Sequence, residues 1–286
     1  MLPGLAPFPS PITMPLQLPY DWIAPDWPAP ARVRAFCTTR SGGVSAAPLD
    51  SLNLGRLVGD APEAVAANWT IVQAVMDADG SPVHTVRTRQ VHGSQLLAAD
   101  ARTPEDLEAD ACTTTEPGVA CITMAADCLP VLLTDRAGTR VAAAHAGWRG
   151  LAGGVLEEAL KPFWPPAPVD QAPAAINNEA EVMAWIGPGI GPPAFEVGAE
   201  VREAFMAHDP AAAGCFSALG GGKYLADLAG LARQRLRAAG VAAIYGNDSS
   251  PAWCTFSQPS RFFSHRRDSA VLGRSGRMAA GIWLAH

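Results

Sequence analysis

A thiol and an imidazole stand seventeen residues apart, each at the end of an apolar run. Cys128 falls in Ala126-Asp127-Cys128-Leu129-Pro130, and His145 opens His145-Ala146-Gly147-Trp148-Arg149-Gly150. Thiolate and imidazole are zinc ligands, and a catalytic zinc keeps a fourth position open. His92, thirty-six residues before Cys128, would complete a Cys/His₂ set, although the spacing is unlike the close ligand pairs of zinc fingers and other histidines are available. Zinc held there can lower the pKa of a bound water to about 7 and polarise an oxygen. It would also keep Cys128 as thiolate, against a free pKa near about 8.5. Taken singly, Cys128 reads equally as a small buried hydrophobe and His145 as a satisfied core histidine. Taken together, with Asp127 and Arg149 beside them, they read as the floor of a site.

Other polar residues extend that floor. Arg40, Arg149, Arg266 and Arg267 adjoin Gly, Ser or Asp in predicted loops. A guanidinium fork suits phosphate or carboxylate. Arg149 also precedes a helix start, where free N–H groups favour anions, whereas Arg267 reads as a surface ion pair. Asp127 is placed to orient a ligand, to move a proton, or simply to cap a turn.

The elements around these residues follow from hydropathy patterning. Residues 119–124, 131–134 and 141–144 are short apolar runs, read as strand, break, strand, turn and strand. Cys128 is expected in the break, with Pro130 keeping the backbone out of a regular ladder. A helix is expected over 151–160. Residues 32–38 alternate as a strand and run into the Gly42-Gly43 loop. Asp60 with Glu63 predicts a capping box for a helix whose core face is Val65, Trp69, Val72 and Met76. Residues 84–92 read as a strand that puts Val86, Thr88, Gln90 and His92 on one face and ends in a cleft. Helices are expected over 196–208 and 224–239, and strands over 182–186, 241–245 and 278–284. The pattern points to a mixed sheet covered by helices, closer to α+β than to a doubly wound fold. It spans 20–286, behind a poorly structured proline-rich leader at 1–19 and with a surface insertion at 162–180.

Composition narrows the function. Hydrophobic residues make up 49% of the 286 and charged residues 17%, so a large core is available. A net charge of −6 argues against a nucleic-acid binder. No apolar run approaches the roughly 18 residues of a membrane span. Six scattered cysteines without a CxxC, and a leader without Lys or Arg, point to reduced thiols and a cytoplasmic protein.

Seven segments in this order resemble one family. They are Arg89-Gln90-Val91-His92-Gly93, Glu108-Ala109-Asp110-Ala111, Ala126-Asp127-Cys128-Leu129-Pro130, His145-Ala146-Gly147-Trp148-Arg149-Gly150, Ile186-Gly187-Pro188, Glu196-Val197-Gly198 and Phe262-Phe263-Ser264-His265-Arg266-Arg267. The family is YfiH, also called the laccase-domain or multicopper polyphenol oxidase-like family. The resemblance runs from about Val33 to the C-terminus. It implies an α+β single domain with mixed β-sheets, zinc on His92, Cys128 and His145, and phosphorolysis of adenosine, inosine, guanosine and methylthioadenosine, with adenosine deamination besides. It makes Arg40, Asn53 and Gln90 ligand contacts through their motif loops. The family usually has Cys at Gly189, Tyr near Phe195 and Tyr at His265, and the last departure bears on pocket polarity.

The expected partners are therefore a purine nucleoside and phosphate, with the oligomeric state left open. Asp127, Cys128, His145 and Arg149 are the catalytic candidates, and Arg40, Asn53, Gln90 and Arg266 the substrate-binding ones. Three rival readings remain at this point. Cys128 with His145 as base could be a thiol amidase acting on a cell-wall precursor. His₂Cys could hold copper in a polyphenol oxidase. The metal could also only stabilise a binding module.

Overall fold

The computed structural model describes residues 16–164 and 181–286. In chain order the strands are β1 (Val33–Cys37), β2 (His84–Arg87), β3 (Leu96–Ala98), β4 (Ala111–Thr114), β5 (Val119–Ala125), β6 (Leu129–Asp135) and β7 (Val141–Ala146). They continue as β8 (Val182–Ile186), β9 (Glu196–Gly198), β10 (Phe216–Gly220), β11 (Lys223–Ala226), β12 (Ala243–Gly246) and β13 (Met278–Leu284). The helices are α1 (Pro62–Met76), α2 (Trp148–Ala152), α3 (Val155–Leu160), α4 (Ala199–Met206), α5 (Leu228–Ala238) and α6 (His265–Leu272).

Two mixed sheets face each other. One has the order β1-β13-β5-β2 and the other β12-β8-β6-β7-β4-β3, each combining parallel and antiparallel pairs. Alternation along β6 shows why they stack. Leu132 points to the inter-sheet core with Val86, Cys121, Trp185 and Ile282. Val131 and Leu133 point the other way, into the layer of α3 and α5. Helix α1 covers the outer face of the first sheet, laying Val65, Trp69, Val72 and Met76 on Phe36, Ile122 and Trp283. The result is four layers, helix–sheet–sheet–helix, an α+β arrangement of mixed sheets covered by helices, as expected. A small antiparallel sheet, β10-β11-β9, sits apart from both.

Several local expectations are corrected. Pro130 is not in the break but in β6, paired with His145, and its carbonyl accepts from Gly187 N at 2.8 Å. The break is 126–128, with Cys128 in it as expected. Asp60 does not cap α1. Ala61 is the N-cap, Pro62 opens the helix, and the Asp60 carboxylate accepts from Ser45 Oγ and Asn53 Nδ2. The strand over 84–92 stops at Arg87; Arg89 keeps one isolated bridge to Glu108, and the chain then takes a left-handed φ of 62° at His92. The helix over 151–160 is two pieces, broken at Gly153-Gly154, where Gly154 takes φ 92°. The helices over 196–208 and 224–239 each begin as a strand, β9 and β11, and α6 was not anticipated. Short apolar pairs such as Val197 and Val201 fit both periods, so periodicity alone could not place the strand-to-helix switch. Residues 1–15 of the expected leader and 165–180 of the expected insertion lie outside the described residues; Leu16 and Leu18 pack against the α1 cluster.

Leu132 has no exposed surface and touches both sheets. Leu132→Ala is expected to lower the unfolding free energy by about 2–5 kcal/mol, read as a shift in the denaturant midpoint at unchanged slope.

Candidate metal centre

The site is built where β7 and the 91–93 loop meet a single buried carboxylate. Asp110 is 2% exposed. Its oxygens accept from Val91 N at 3.0 Å, His92 N at 3.0 Å and Gly93 N at 2.7 Å. Oδ1 is also 2.8 Å from His145 Nδ1. The Asp110 carbonyl in turn accepts from His145 N at 2.7 Å. One residue thus fixes the turn that carries His92 and the tautomer of His145, leaving Nε2 of His145 free to act as a ligand. The left-handed backbone of His92 costs of order 1–3 kcal/mol by itself, and three hydrogen bonds to one carboxylate hold it.

Cys128 comes from the break between β5 and β6. Its Sγ lies 3.8 Å from His92 Nε2, and the His92 and His145 rings meet edge to face at 4.8 Å. The ligand atoms of His92, Cys128 and His145 all lie within 4.8 Å of one another. Cys128 Sγ and His92 Nε2 already stand near the spacing of two ligands on one tetrahedral ion with bonds of about 2.0–2.3 Å, and one thiolate with two imidazoles is a donor set suited to a divalent metal. Sequence-distant His92, Cys128 and His145 do converge, and among the described residues they are the one such group. Gly147 makes the approach possible. A Cβ there would stand 2.7 Å from Cys128 Sγ and 2.9 Å from His92 Cδ2.

Electrostatics favour a charged pair when no metal is bound. Burial alone would raise the Cys128 thiol, but His145 and then His92 outweigh it and bring the pKa down to about 6. Burial alone would lower His145, but the Cys128 thiolate and Asp110 bring it up to about 9. Burial likewise opposes the Asp110 charge, yet the bonds from His145, Gly93 and Val91 hold its pKa below the ordinary value.

A cavity of about 350 Å³ opens beside Cys128 and His92. Trp148, Ile190, Phe195 and Leu228 supply its apolar wall, and Arg149, His265 and Arg266 its polar rim. Arg149 stacks on Trp148 at 4.4 Å and has no hydrogen-bonded partner among the described residues. Arg266 is fixed to the Ala194 and Glu196 carbonyls. A larger cavity, about 500 Å³, lies beside α1, but its Arg56 and Arg87 both pair with Glu105 and it holds no thiol or imidazole.

The remaining candidates do structural work. Asp127 lines the cavity, but Oδ1 accepts from Thr255 Oγ1 and Oδ2 from the Arg266 N–H, both at 2.6 Å. Its carboxylate anchors the first turn of α6. Arg40 lines a separate recess, where it donates to the Asp50 and Pro259 carbonyls. Asn53 is fully buried and ties Gly55, Asp60 and Arg277 together. Gln90 clamps both main-chain groups of Met124. Motif position suggests ligand contacts for these three; Asn53 and Gln90 bond within the protein, and Arg40 lines a recess apart from the metal site. Sequence reasoning did not assign roles to Asp110, Trp148 or Leu228. The match of Asp110 to a motif was the available signal, and the other two are sequence-distant wall residues.

Residues 34–285 match the family described as multi-copper polyphenol oxidoreductase laccase. A purine nucleoside phosphorylase of Pseudomonas aeruginosa is 48% identical, covering 92% of this chain and 98% of the relative. Purine nucleoside phosphorylase YfiH of Escherichia coli is 47% identical with the same coverage. The chain belongs to the YfiH family. A crystal structure of a Neisseria meningitidis protein ascribed to DUF152 superposes on this YfiH-family fold with TM-score 0.80 at 45% identity, covering 93% of this chain and all of that one.

Two outcomes follow for this YfiH-family site. Gly147→Ala should leave the helix content unchanged while pushing Cys128 and His92 apart, lowering zinc affinity by about 10-fold or more, as measured by competition with a chromophoric chelator. Metal must displace the proton of His145, whereas Cys128 is already thiolate above about pH 6. Zinc affinity should therefore rise about tenfold per pH unit between about 6 and 9, with one proton released per ion, and level off above that range. Calorimetry in buffers of different ionisation enthalpy counts the proton.

Proposed function

We propose that this chain is a zinc-dependent purine nucleoside phosphorylase acting on adenosine, inosine, guanosine and methylthioadenosine, with adenosine deamination at the same site. The observation that carries the proposal is the convergence of His92, Cys128 and His145 beside a cavity with an apolar wall and, in Arg149, a guanidinium without a hydrogen-bonded partner among the described residues. The purine nucleoside phosphorylases among its relatives support it.

When bound, zinc supplies a Lewis acid that draws charge from an oxygen. The protein groups do the rest. Trp148 and Phe195 offer aromatic surface for a planar base, with Ile190 and Leu228 completing a slot of ligand size. Arg149 is free to pair with phosphate, and its stacking on Trp148 sets phosphate beside the base. Asp110 keeps His145 oriented and Cys128 is held as thiolate. A reducing, cytoplasmic setting belongs to the same proposal, since a thiolate ligand must stay reduced. Copper oxidase chemistry is less well supported. Reducing O₂ in a multicopper enzyme needs several copper ions, and the described residues present one three-ligand group.

One rival keeps a specific observation in its favour. Asp110, His145 and Cys128 are arranged as orienting acid, base and thiol, with the thiol at about 6. Replacing His92 separates the two, because it removes a metal ligand and leaves that triad intact. His92→Ala should stay folded, lose bound zinc, and lose at least about 10²-fold in phosphate-dependent nucleoside turnover. A metal-free, folded His92→Ala protein that retains turnover, and is silenced by a thiol-alkylating reagent, would establish the thiol enzyme instead.

A further inference from the structure

Phosphorolysis leaves one chemical need that the metal floor does not meet. As the bond from the sugar C1′ to N9 breaks, its electron pair goes to the purine, while a phosphate oxygen bonds to C1′. The base then departs as an anion unless a proton reaches N7. Among the side chains lining the cavity, most cannot supply that proton. His92 and Cys128 are metal donors, the Asp127 oxygens are held by Thr255 and Arg266, and guanidinium and indole groups do not release protons near neutrality.

His265 remains. It is the first residue of α6, at the solvent-facing rim of the cavity. Its Nδ1 lies 2.8 Å from Ser269 Oγ one turn along the helix, which orients the ring and leaves Nε2 unpaired among the described residues. Arg266, the next residue, lies over Phe195 at 5.7 Å, and His265 and Phe195 both line the cavity.

We propose that His265 is the proton donor to the departing purine, an assignment that rests on the phosphorylase reading. Nε2 gives its proton to N7 as the bond to N9 breaks. The proton lost by the attacking hydrogen phosphate returns to His265 through solvent, so the reaction is balanced as nucleoside plus hydrogen phosphate to neutral purine plus sugar 1-phosphate.

The test compares inosine with 7-methylinosine in the zinc-loaded full chain with phosphate. The methylated base is already cationic, leaves neutral, and needs no proton. His265→Gln should lower kcat/KM for inosine by about 10²-fold, the usual worth of a general acid, and change that for 7-methylinosine by less than about threefold. Melting temperature and zinc content establish that the variant is folded and loaded. If the glutamine variant does not fold, His265→Ala at this exposed position takes its place, with the same expected split. Equal slowing of both substrates, or no slowing of either, in a folded and loaded variant overturns the assignment. A wild-type enzyme inert toward both nucleosides refutes the phosphorylase reading and this role with it.

Discussion

The candidate metal centre depends on one buried carboxylate. Asp110 lies between two segments that share no strand pairing, the 91–93 loop and the end of β7, and its two oxygens serve both. A buried charge is costly unless fully hydrogen-bonded. Three backbone N–H groups and one imidazole meet that requirement, at about 1.5–3 kcal/mol for each bond to a charged group. Its pKa is depressed in the folded state, so this stabilisation is complete above the ordinary carboxylate pKa and is lost as pH falls through the lower folded value. The order of dependence is clear from the backbone. His92 occupies a conformation that a non-glycine residue rarely keeps, and the bonds to Asp110 are what hold it there.

Around that carboxylate the fold concentrates charge in a place that is otherwise apolar. Alanine dominates β7, and the neighbouring side chains of β6 are Leu and Val. Low polarity strengthens the attraction between Cys128 and His145 as much as it penalises either charge alone. The same surroundings therefore favour two states, an imidazolium–thiolate pair without metal and a neutral imidazole with thiolate on a cation. The family carries both a copper-oxidase description and relatives described as phosphorylases, and the donor set explains how one site can suggest such different chemistries.

The central strands of the two large sheets were legible in the sequence because they are continuous apolar runs, whereas β3, β4 and the whole β10-β11-β9 sheet were not anticipated. The strands over 182–186 and 278–284 emerged with the expected bounds. The ligands were legible for a different reason: Cys128 and His145 interrupt such runs, and a strand end is where a side chain can leave the core without breaking a ladder. What escaped was information carried by backbone geometry. Nothing in residue types distinguishes an Asn53 that contacts substrate from one that braces Gly55 and Arg277. Nor does the pattern around Leu225 reveal that it lies in a strand, because its helical stripe begins only after Asp227 accepts from Gly230 N and starts α5. The break at Gly153-Gly154 was visible as two glycines, but its consequence, two short helices in place of one, depended on the φ of Gly154.

Asp127 shows how floor and rim become one site. It stands next to the candidate ligand Cys128, in a left-handed backbone conformation at φ 88°, with its carboxylate bonded to Thr255 and the first turn of α6. The bond to the Arg266 N–H satisfies one of the free donors at the helix start and places a negative charge at its positive end. The residue that positions Cys128 along the chain thereby also positions His265 and Arg266 across the cavity, 138 residues later in the sequence for His265. A shift in the 126–128 break moves the thiolate and the rim together. That linkage gives a reason for an aspartate in this position other than proton transfer: both its oxygens tie the segment that carries Cys128 to the 255–266 segment that carries the rim.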